Sequence, residues 1–578
     1  KRRLSFYNES SYLKWKKSNN DGKGWKIKYY KGLGTSTGKE FKEYFKNKKI
    51  ISFNYTGNCS DNAIDKVFNK GRADDRKDWL GNYNKDNVLD VLKSKVNYEE
   101  FVDKEMIHFS KYDCERSIPN AIDGLKTSLR KILFAALKRN LTNEIKVAQF
   151  SGYVSEHSGY HHGEMSLNKA IVGMAQWFVG SNNINLLMPN GQFGTRLLGG
   201  KDHASERYIF TLLNPIVKYL YPSDDLPLLN YLDDDGDSIE PDYYVPIIPM
   251  ILVNGGKGIG TGYSYEGMCY NPDSIITYMR NKINKVETNI DISPYYENFK
   301  GTITKVEDKR YMIKGKYEII SSDSIRVTEL PIGKWTTQFI EELELLMDDK
   351  NKKTKQPKKP IVKNIKDMST DAVIDITIKF QPTMLGKLIS KNVDKYCNQL
   401  EKTLKLYCYK STTNMNLFNN KQQLKKYNTV YEIIDDYFEI RYNLYVKRKK
   451  FLIANLENIV MELSNKARFI KEQCEDIIDL RRKKKIDVIE LLSSRNYDKL
   501  NNDNEYKYLR SMRIESVEEE NMLKLLKDCD VKIKELEVIK KTTVEEMWIS
   551  ELDKLQLEYI KYKKDRIEKL YGLTKTKK

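Results

Sequence analysis

The sequence predicts an α+β protein of several domains that ends in a long antiparallel helical arm. Its 578 residues exceed what one ordinary hydrophobic core organises, so roughly three or four domains are expected. Between residues 270 and 430 short β-type runs alternate with polar loops. From residue 430 onward apolar residues recur with a period of about 3.5 residues, which is typical of paired helices.

The predicted arm rests on two apolar seams, each stepping by four and three residues in turn. The first seam comprises Leu456, Val460, Leu463, Ala467, Ile470, Cys474 and Ile477, and the second comprises Trp548, Leu552, Leu555, Tyr559 and Tyr562. A further helical stretch lies around residues 518–540. This pattern predicts an antiparallel coiled-coil hairpin with a small gate, and two amphipathic helices in an ordinary bundle are the alternative.

Shorter elements are predicted from local composition. Trp25–Tyr30 is expected to form a short strand, and residues 61–80 a helix. The β-type runs at residues 325–330 and 372–380 are expected to be strands. The Lys-rich stretch at residues 349–364 is expected to be a solvated loop.

The charge balance favours an anionic partner. The chain carries 100 Lys and Arg against 81 Asp and Glu, a formal net charge of +19. Neutralising the phosphates of a nucleic acid releases counterions and drives association. A Lys- and Asn-rich composition set by an AT-rich genome would also produce this surplus, so charge alone leaves both explanations open.

Several classes of site are disfavoured by composition. The seven Cys form no C-x-x-C pair and do not alternate with the five His, so neither structural zinc nor a disulfide framework is expected. No apolar run approaches the length that spans a bilayer, so no membrane partner is expected. The acidic run at residues 233–237 fails the EF-hand pattern because Ser238 stands where Gly is required.

Two predicted helices outline a nucleic-acid reader. Residues 121–139 have apolar positions at helical spacing, with Lys126, Arg130 and Lys131 on the polar side. After a break, residues 159–179 form a second predicted helix that begins with histidines. This is the outline of a helix-turn-helix or winged-helix domain, although many all-α segments share it.

The segment Gly191–Thr211 (GQFGTRLLGGKDHASERYIFT) combines glycines, cations and an Arg-Tyr pair. Glycines let a backbone approach a ligand closely, and Arg196 and Lys201 suit phosphate. The hydroxyl of Tyr208 would need neighbouring cations to act as a nucleophile, and Arg207 is adjacent. On these residues alone, an ordinary surface pair is the commoner explanation.

Six segments together resemble type IIA DNA topoisomerases of the eukaryotic kind. They are KYYKGLGTSTGKEFKEYF at 28–45, DDRKDWL at 74–80, RSIPNAIDGLK at 116–126, YHHGEMSL at 160–167, NLLMPNGQFGTRLLGGKDHASERYIFT at 185–211 and EPDYYVPIIPMILVNGGKGIGTG at 240–262. Their order and approximate spacing match the family over residues 1–440, and the arm continues the match. The resemblance implies four regions: the C-terminal part of a TOPRIM domain (1–60), a winged-helix domain with the catalytic Tyr (61–268), a tower domain (269–430), and a coiled-coil arm with a dimerisation gate (431–578).

The resemblance also implies roles for individual residues. Tyr208 matches the nucleophile that forms a 5′-phosphotyrosyl bond, Arg207 the arginine that stabilises the transition state, and His161 and His162 the pair near the scissile phosphate. Ile259 matches an isoleucine that wedges between base pairs and bends the duplex. The predicted DNA-binding residues are Lys31, Lys126, Arg130, Lys131, Tyr160, Ser166, Lys201, Ile259 and Trp335.

The implied function is ATP-dependent double-strand breakage, strand passage and religation by a homodimer on double-stranded DNA. The family's Mg²⁺ ligands and ATP site belong to segments outside these 578 residues, and no metal ligands are expected within them. A non-cleaving DNA-bending protein and a structural coiled-coil protein are the alternatives. The implied location is the nucleus, or the host cytoplasm if the source is a large DNA virus.

The sequence departs from the family pattern at two places. Thr127-Ser128-Leu129 stands where the family usually has Pro-Gly-Gln. Glu206 stands where a small residue usually precedes the Arg-Tyr pair. A carboxylate beside the scissile phosphate is unfavourable unless it turns away.

Overall fold

Helices and small sheets alternate throughout a computed structural model of the protein, which confirms the α+β prediction. The structure describes residues 3–30, 33–48, 50–90, 92–234, 236–287, 290–349, 359–500, 503, 505–512 and 519–572. Within those ranges no helix has the length and apolarity needed to cross a membrane.

The amino-terminal region is built from short helices around one parallel strand pair. Its elements are α1 (Glu9–Ser18), α2 (Gly38–Lys46), β1 (Ser52–Asn54), α3 (Asn58–Phe68), α4 (Ala73–Gly81), β2 (Lys95–Asn97), α5 (Tyr98–Phe101), a π-helical turn (Val102–Met106) and α6 (Ile107–Ser117). Thr37 and Glu40 form a reciprocal capping box at the start of α2, which satisfies two backbone N–H groups. Trp25–Tyr30 forms no strand, so that prediction is wrong, and the predicted helix at residues 61–80 is broken between α3 and α4.

The central region packs helices and two-stranded ribbons around the largest core. Its elements are α7 (Thr127–Lys138), β3 (Ile145–Lys146), α8 (Val147–Ser158), α9 (Glu164–Ala175), β4 (Phe210–Thr211), α10 (Val217–Leu220), β5 (Tyr231–Asp234), β6 (Asp237–Pro241), α11 (Met250–Asn254), β7 (Gly256–Ile259), β8 (Ser264–Gly267) and α12 (Pro272–Ile283). Helices α7, α8 and α9 pack on one another, and β3 pairs antiparallel with β4. The short β3–β4 ribbon brings the end of the glycine-rich segment to the start of α8.

The region from residue 302 to 426 contains antiparallel sheets of three and four strands and a two-stranded antiparallel ribbon, β16–β17. Its elements are β9 (Thr302–Glu307), β10 (Arg310–Lys314), β11 (Lys316–Ser321), β12 (Ser324–Glu329), α13 (Thr336–Met347), β13 (Val362–Asp367), β14 (Ile376–Phe380), α14 (Met384–Ser390), α15 (Gln399–Thr403), β15 (Tyr407–Ser411), β16 (Asn416–Phe418) and β17 (Leu424–Lys426). One sheet has the order β15-β10-β9 and the other β11-β12-β14-β13. The four-stranded sheet has its own core, formed with α13, α14 and α15.

The arm consists of one very long helix and its antiparallel partner. Its elements are α16 (Val430–Cys474), α17 (Lys485–Ser494), α18 (Lys507–Arg510), α19 (Glu519–Lys541) and α20 (Val544–Leu570). Cys529 Sγ lies near the carbonyl of Val460, whereas Lys540 pairs with Glu457, so α19 runs antiparallel to α16. A small separate core of Phe469, Leu492 and Tyr497 caps the far end of the arm.

The two predicted seams do not face each other. The first seam lies along α16, but Cys474 and Ile477 at its end are exposed. The second seam lies on α20 and is buried in the central core, where the Trp548 indole donates to the carbonyl of Ile247. The periodicity correctly predicted an apolar face, but α19 is the helix that covers α16 along the arm.

The base of the arm is held in the body by charged and polar groups. Arg441 and Arg448 of α16 are buried and both form ion pairs with Asp225 and Glu551. On α20, the Tyr559 hydroxyl donates to Glu297, Arg566 donates to the carbonyl of Asn183, and the Tyr562 hydroxyl donates to that carbonyl and to the Asn185 side chain. Both helices at the base of the arm, α16 and α20, are therefore attached to the central region.

Candidate functional site

Tyr208 stands exposed at the start of helix α8. Its side chain is 67% exposed, and the Arg207 guanidinium lies 5.0 Å from the centre of its ring. The backbone around it is fixed, because Val147 and Ala148 at the start of α8 donate to the carbonyls of Ile209 and Glu206. The positive charge of Arg207 beside the ring favours an anion near Tyr208.

The glycine-rich segment before Tyr208 folds tightly on itself. Gly194 has a φ of +92°, and a Cβ there would lie 2.6 Å from the Cα of Gly200. The Gln176 side chain of α9 donates to the carbonyls of Phe193 and Gly200. Arg196 turns inward and forms a buried ion pair with Glu329 of β12, so it is not free to hold a phosphate.

Trp335 packs against this glycine-rich segment. A Cβ on Gly199 would lie 2.2 Å from the Trp335 ring, which also makes an edge contact with Phe178. Thr336, next in the chain, donates its backbone N–H to the carbonyl of Arg196. Trp335 therefore lies where the β12–α13 connection meets the segment that carries Tyr208.

His161 and His162 lie after the end of α8 and gather around Tyr112 of α6. The Tyr112 oxygen is 2.6 Å from His162 Nε2 and 3.4 Å from His161 Nε2. Burial raises the pKa of the Tyr160 hydroxyl, and the charge of Arg116, one turn further along α6, opposes that rise. Burial, followed by the charges of Arg116, His161 and Lys131, lowers the pKa of His162.

The structure does not bring the histidine pair to Tyr208 within one chain. Tyr208 lies beside the amino-terminal end of α8, whereas the histidines follow its carboxyl end. A helix of this length, 12 residues, separates its two ends by about 16 Å. The predicted catalytic residues thus form two groups at opposite ends of α8.

The three cations predicted on α7 lie in different environments. Lys126, at the helix start, is half-buried, and burial lowers the pKa of its ammonium group. No ion pair to Lys126 occurs among the residues that the structure describes. Arg130 and Lys131 are buried and paired with Asp123 and Glu240, so the expectation that they lie on a polar helix side is wrong.

Ile259 ends strand β7 and is 69% exposed. The β7–β8 ribbon that carries it rests on α6: a Cβ on Gly258 would lie 2.3 Å from the carbonyl oxygen of Ser117, and one on Gly260 3.0 Å from Cys114 Sγ. An exposed isoleucine on a ribbon fixed so closely cannot be explained as a core residue. Ile259 is therefore a surface residue of this chain.

The remaining predicted contacts are at the surface or outside the described residues. Ser166 is exposed on the first turn of α9, and Lys201 is exposed in the segment before Tyr208. Lys31 lies outside the described residues. Glu206 is partly exposed.

Tyr112 and Arg116 were not predicted as site residues from the sequence. Arg116 is the first residue of the motif RSIPNAIDGLK, so a signal for it was present. Tyr112 lies outside all six motifs, and only the fold places it against the histidine pair.

The residues present do not form a recognisable metal site. Throughout the described ranges, no group of three or more His, Cys, Asp or Glu side chains could hold a metal ion. Of the acidic run at 233–237, Asp235 lies outside those ranges, and Asp233 accepts a hydrogen bond from the backbone of Gly236 within the β5–β6 ribbon. No catalytic step is therefore assigned to a metal held by these residues.

Comparison with known proteins identifies the family. Residues 116–553 match the family model for the A subunit of DNA gyrase/topoisomerase IV, and residues 1–114 match the C-terminal associated domain of TOPRIM. The chain is 40% identical to DNA topoisomerase 2 of Arabidopsis thaliana over 602 residues, covering 96% of this chain and 40% of that protein. It is 41% identical to DNA topoisomerase 2-alpha of Homo sapiens over 512 residues, covering 86% of this chain and 33% of that protein.

A solved structure is similar over nearly the whole chain. It is the crystal structure of the DNA-binding, cleavage and re-ligation domain of Plasmodium falciparum topoisomerase II, with 40% identity and a TM-score of 0.83. The similarity covers 99% of this chain and 79% of that one. The chain spans about 40% of the length of the first curated relatives that it matches. On these matches, the chain belongs to the type II DNA topoisomerase family.

Proposed function

We propose that this chain is the DNA-binding and cleavage part of an ATP-dependent type II DNA topoisomerase. The observation that carries the proposal is the exposed Arg207–Tyr208 pair, held against the amino-terminal end of α8. This exposure leaves the Tyr208 hydroxyl accessible to a DNA phosphate, and Arg207 places a positive charge beside the ring.

The proposed reaction is a reversible transesterification. The Tyr208 oxygen loses its proton and attacks a DNA phosphorus, the bond from phosphorus to the 3′-oxygen breaks, and that oxygen takes up a proton. The product is a 5′-phosphotyrosyl bond, and the reverse attack by the 3′-hydroxyl reseals the strand. Arg207 stabilises the negative charge that develops on the phosphoryl oxygens. One phosphodiester replaces another, so the chemistry needs no net energy input.

The proposed DNA surface combines cations, polar groups and one apolar wedge. Lys126 has no carboxylate partner among the described residues, so its charge is available for a phosphate. Ile259 inserts between base pairs and bends the duplex, since its exposure leaves it no role in the core. Arg130 and Lys131 are not included, because their charges are already neutralised by buried carboxylates. The other proposed contacts are Lys31, Tyr160, His161, His162, Ser166, Lys201 and Trp335.

We propose the same four regions that the resemblance implies, with boundaries at residues 60, 268 and 430. The separate core of the four-stranded sheet supports the third region, and the α16–α19 pair supports the fourth. The proposed assembly is a homodimer, in which each protomer cleaves one strand of a double-stranded DNA.

Membership of the family implies a metal and ATP requirement in general. We propose that the metal is Mg²⁺, that it supplies electrostatic stabilisation of the developing charge, and that its ligands and the ATP site belong to other segments of the protein. The proposed location is the nucleus.

Covalent trapping tests the nucleophile. In the full-length protein, Tyr208→Phe should abolish transfer of labelled DNA to the denatured protein, while duplex binding remains nearly unchanged because it rests on many phosphate contacts. Tyr55→Phe is the matched control, since Tyr55 is also an exposed tyrosine, and its hydroxyl donates to Asp61. A covalent adduct formed by the Tyr208→Phe variant would refute the assignment, and bending without any adduct in the unaltered protein would favour the non-cleaving alternative.

A further inference from the structure

Tyr112 contacts the histidine pair in a way that determines where a proton resides. We propose that Tyr112 is a positioning residue that fixes the tautomer of His162, so that the neutral imidazole donates a hydrogen bond from Nδ1 to a DNA phosphate. This inference rests on the proposed function, because it assigns a task to a residue of the same DNA-binding surface.

The contact distance fits one direction of the Tyr112–His162 hydrogen bond better than the other. The Tyr112 oxygen and His162 Nε2 are 2.6 Å apart. Hydrogen bonds from a hydroxyl span about 2.5–3.0 Å, whereas those from a ring N–H to oxygen span about 2.7–3.2 Å. The short contact therefore fits the Tyr112 hydroxyl as the donor and Nε2 as the acceptor.

The neighbouring histidine agrees with this direction. His161 Nδ1 lies 3.2 Å from the carbonyl of Gly159, which can only accept, so that nitrogen carries the proton. In a neutral ring, His161 Nε2 is then an acceptor as well, at 3.4 Å from the same hydroxyl. Tyr112 thus faces two acceptors, and its single proton goes to the nearer one, on His162.

The consequence appears at the other nitrogen of His162. With Nε2 accepting, the proton of the neutral ring must reside on Nδ1. His162 Nδ1 has no hydrogen-bond partner in the part of the chain that the structure describes. It is the one nitrogen of the pair left to donate to a ligand, and the oxygens of a phosphate accept such a bond.

The tautomer matters only because His162 is neutral near pH 7. Burial lowers the pKa of the imidazole, the charges of Arg116 of α6 and Lys131 of α7 lower it further, and His161 does so only when it is itself protonated. Tyr112 and Tyr160 are the other titratable groups against the ring, and burial raises the pKa of both, so they stay protonated. A neutral histidine donates from one nitrogen only, and Tyr112 determines which one.

Nitrogen-15 NMR of the 578-residue chain reads the tautomer directly. The chain has five histidines, and His162→Gln identifies the signals of His162. We expect the Nδ1–H form in the unaltered protein and a shift towards the Nε2–H form in Tyr112→Phe, which keeps the ring and removes the donor. Tyr55→Phe should leave the signals unchanged. An unaltered protein with the proton on Nε2, or no change in Tyr112→Phe, would overturn the inference.

The pH dependence of duplex binding is the second readout. At about pH 8 Tyr112→Phe should bind about 10-fold more weakly, because one hydrogen bond to a charged oxygen is lost. Below the His162 pKa the imidazolium carries both N–H groups and donates with or without Tyr112, so at about pH 5 the two affinities should converge. A loss of affinity that is equal at both pH values would indicate a structural role and contradict the inference.

The proposed function and the inference about Tyr112 can be refuted independently of each other. If the unaltered full-length protein forms no Tyr208 adduct, the proposed function fails, whatever the tautomer of His162. If the adduct forms normally but Tyr112→Phe changes neither the tautomer nor the pH dependence of binding, only the inference about Tyr112 fails.

Discussion

Arg196 and Glu329 form a buried ion pair that joins the glycine-rich segment before Tyr208 to strand β12. Both residues are almost wholly withdrawn from water, at 5% and 1% exposure. The Glu329 carboxylate also accepts from the backbone N–H groups of Lys300 and Leu330. The position of the segment that leads to Tyr208 is therefore tied to the four-stranded sheet that contains β12.

Removal of one partner should be strongly destabilising. Glu329→Ala leaves the Arg196 charge buried without a counter-ion, and we expect a loss of about 3–5 kcal/mol in the free energy of unfolding. The matched control is Asp375→Ala, which removes the partner of Arg326 from an ion pair that is partly exposed on the same sheet. Its loss should be much smaller. Equal losses in the two variants by denaturant unfolding would contradict this account of the pair.

Arg207 should affect the rate of cleavage and leave duplex binding largely intact. Its guanidinium lies over the Tyr208 ring, and no ion pair with a carboxylate occupies it within the described ranges. In the full-length protein, Arg207→Ala should slow covalent capture by about 10²–10³-fold, as expected when one donor to a developing charge is lost. Rapid-quench measurement of adduct formation tests this, and an unchanged rate would remove Arg207 from the mechanism.

Ile259 should affect the shape of the DNA rather than the stability of the protein. Ile259→Ala should reduce the bend measured by energy transfer between labels at the ends of a duplex, and slow cleavage with it. Its melting temperature should barely change, because the side chain is 69% exposed. Ile251→Ala is the matched control, since that isoleucine is fully buried and its loss should lower stability by about 2–5 kcal/mol. An unchanged bend in Ile259→Ala would refute the wedge.

Chemical labelling of Cys114 tests whether the β7–β8 ribbon that carries Ile259 remains packed on α6. Burial raises the pKa of its thiol to about 12, so at pH 8 only about one molecule in ten thousand carries the reactive thiolate. Brief alkylation of the native protein should modify the exposed Cys59 and Cys474 and spare Cys114, as mass spectrometry of the peptides would show. Rapid labelling of Cys114 would mean that the β7–β8 ribbon separates readily from α6.

The sequence predicted local features well where residues close in the chain determine them. Strand β12 coincides with the β-type run predicted at residues 325–330, and α19 coincides with the helical stretch predicted at residues 518–540. Mixed α+β architecture and the family were likewise predictable, because the six motifs are long and ordered.

The predictions that failed concern contacts between residues that are distant in the chain. Arg130 and Lys131 were expected on a polar helix side, but Asp123 and the distant Glu240 cover them in the fold. The seam from Trp548 was expected to face the first seam, but it is buried in the central core. A periodic pattern shows that one face of a helix is apolar, and it does not show which element covers that face. Tyr112 belongs to no motif, so its contact with His162 could not be read from the sequence at all.

The attachment of both α16 and α20 to the body limits how the arm moves. Arg441 and Arg448 anchor the outgoing helix, while Tyr559 and Arg566 anchor the returning one. Because both helices are attached to the central region, rotation of the arm about its base as a rigid body is restrained. Any displacement of the far end of the arm relative to the central region must therefore come from bending of α16 and α19 along their length.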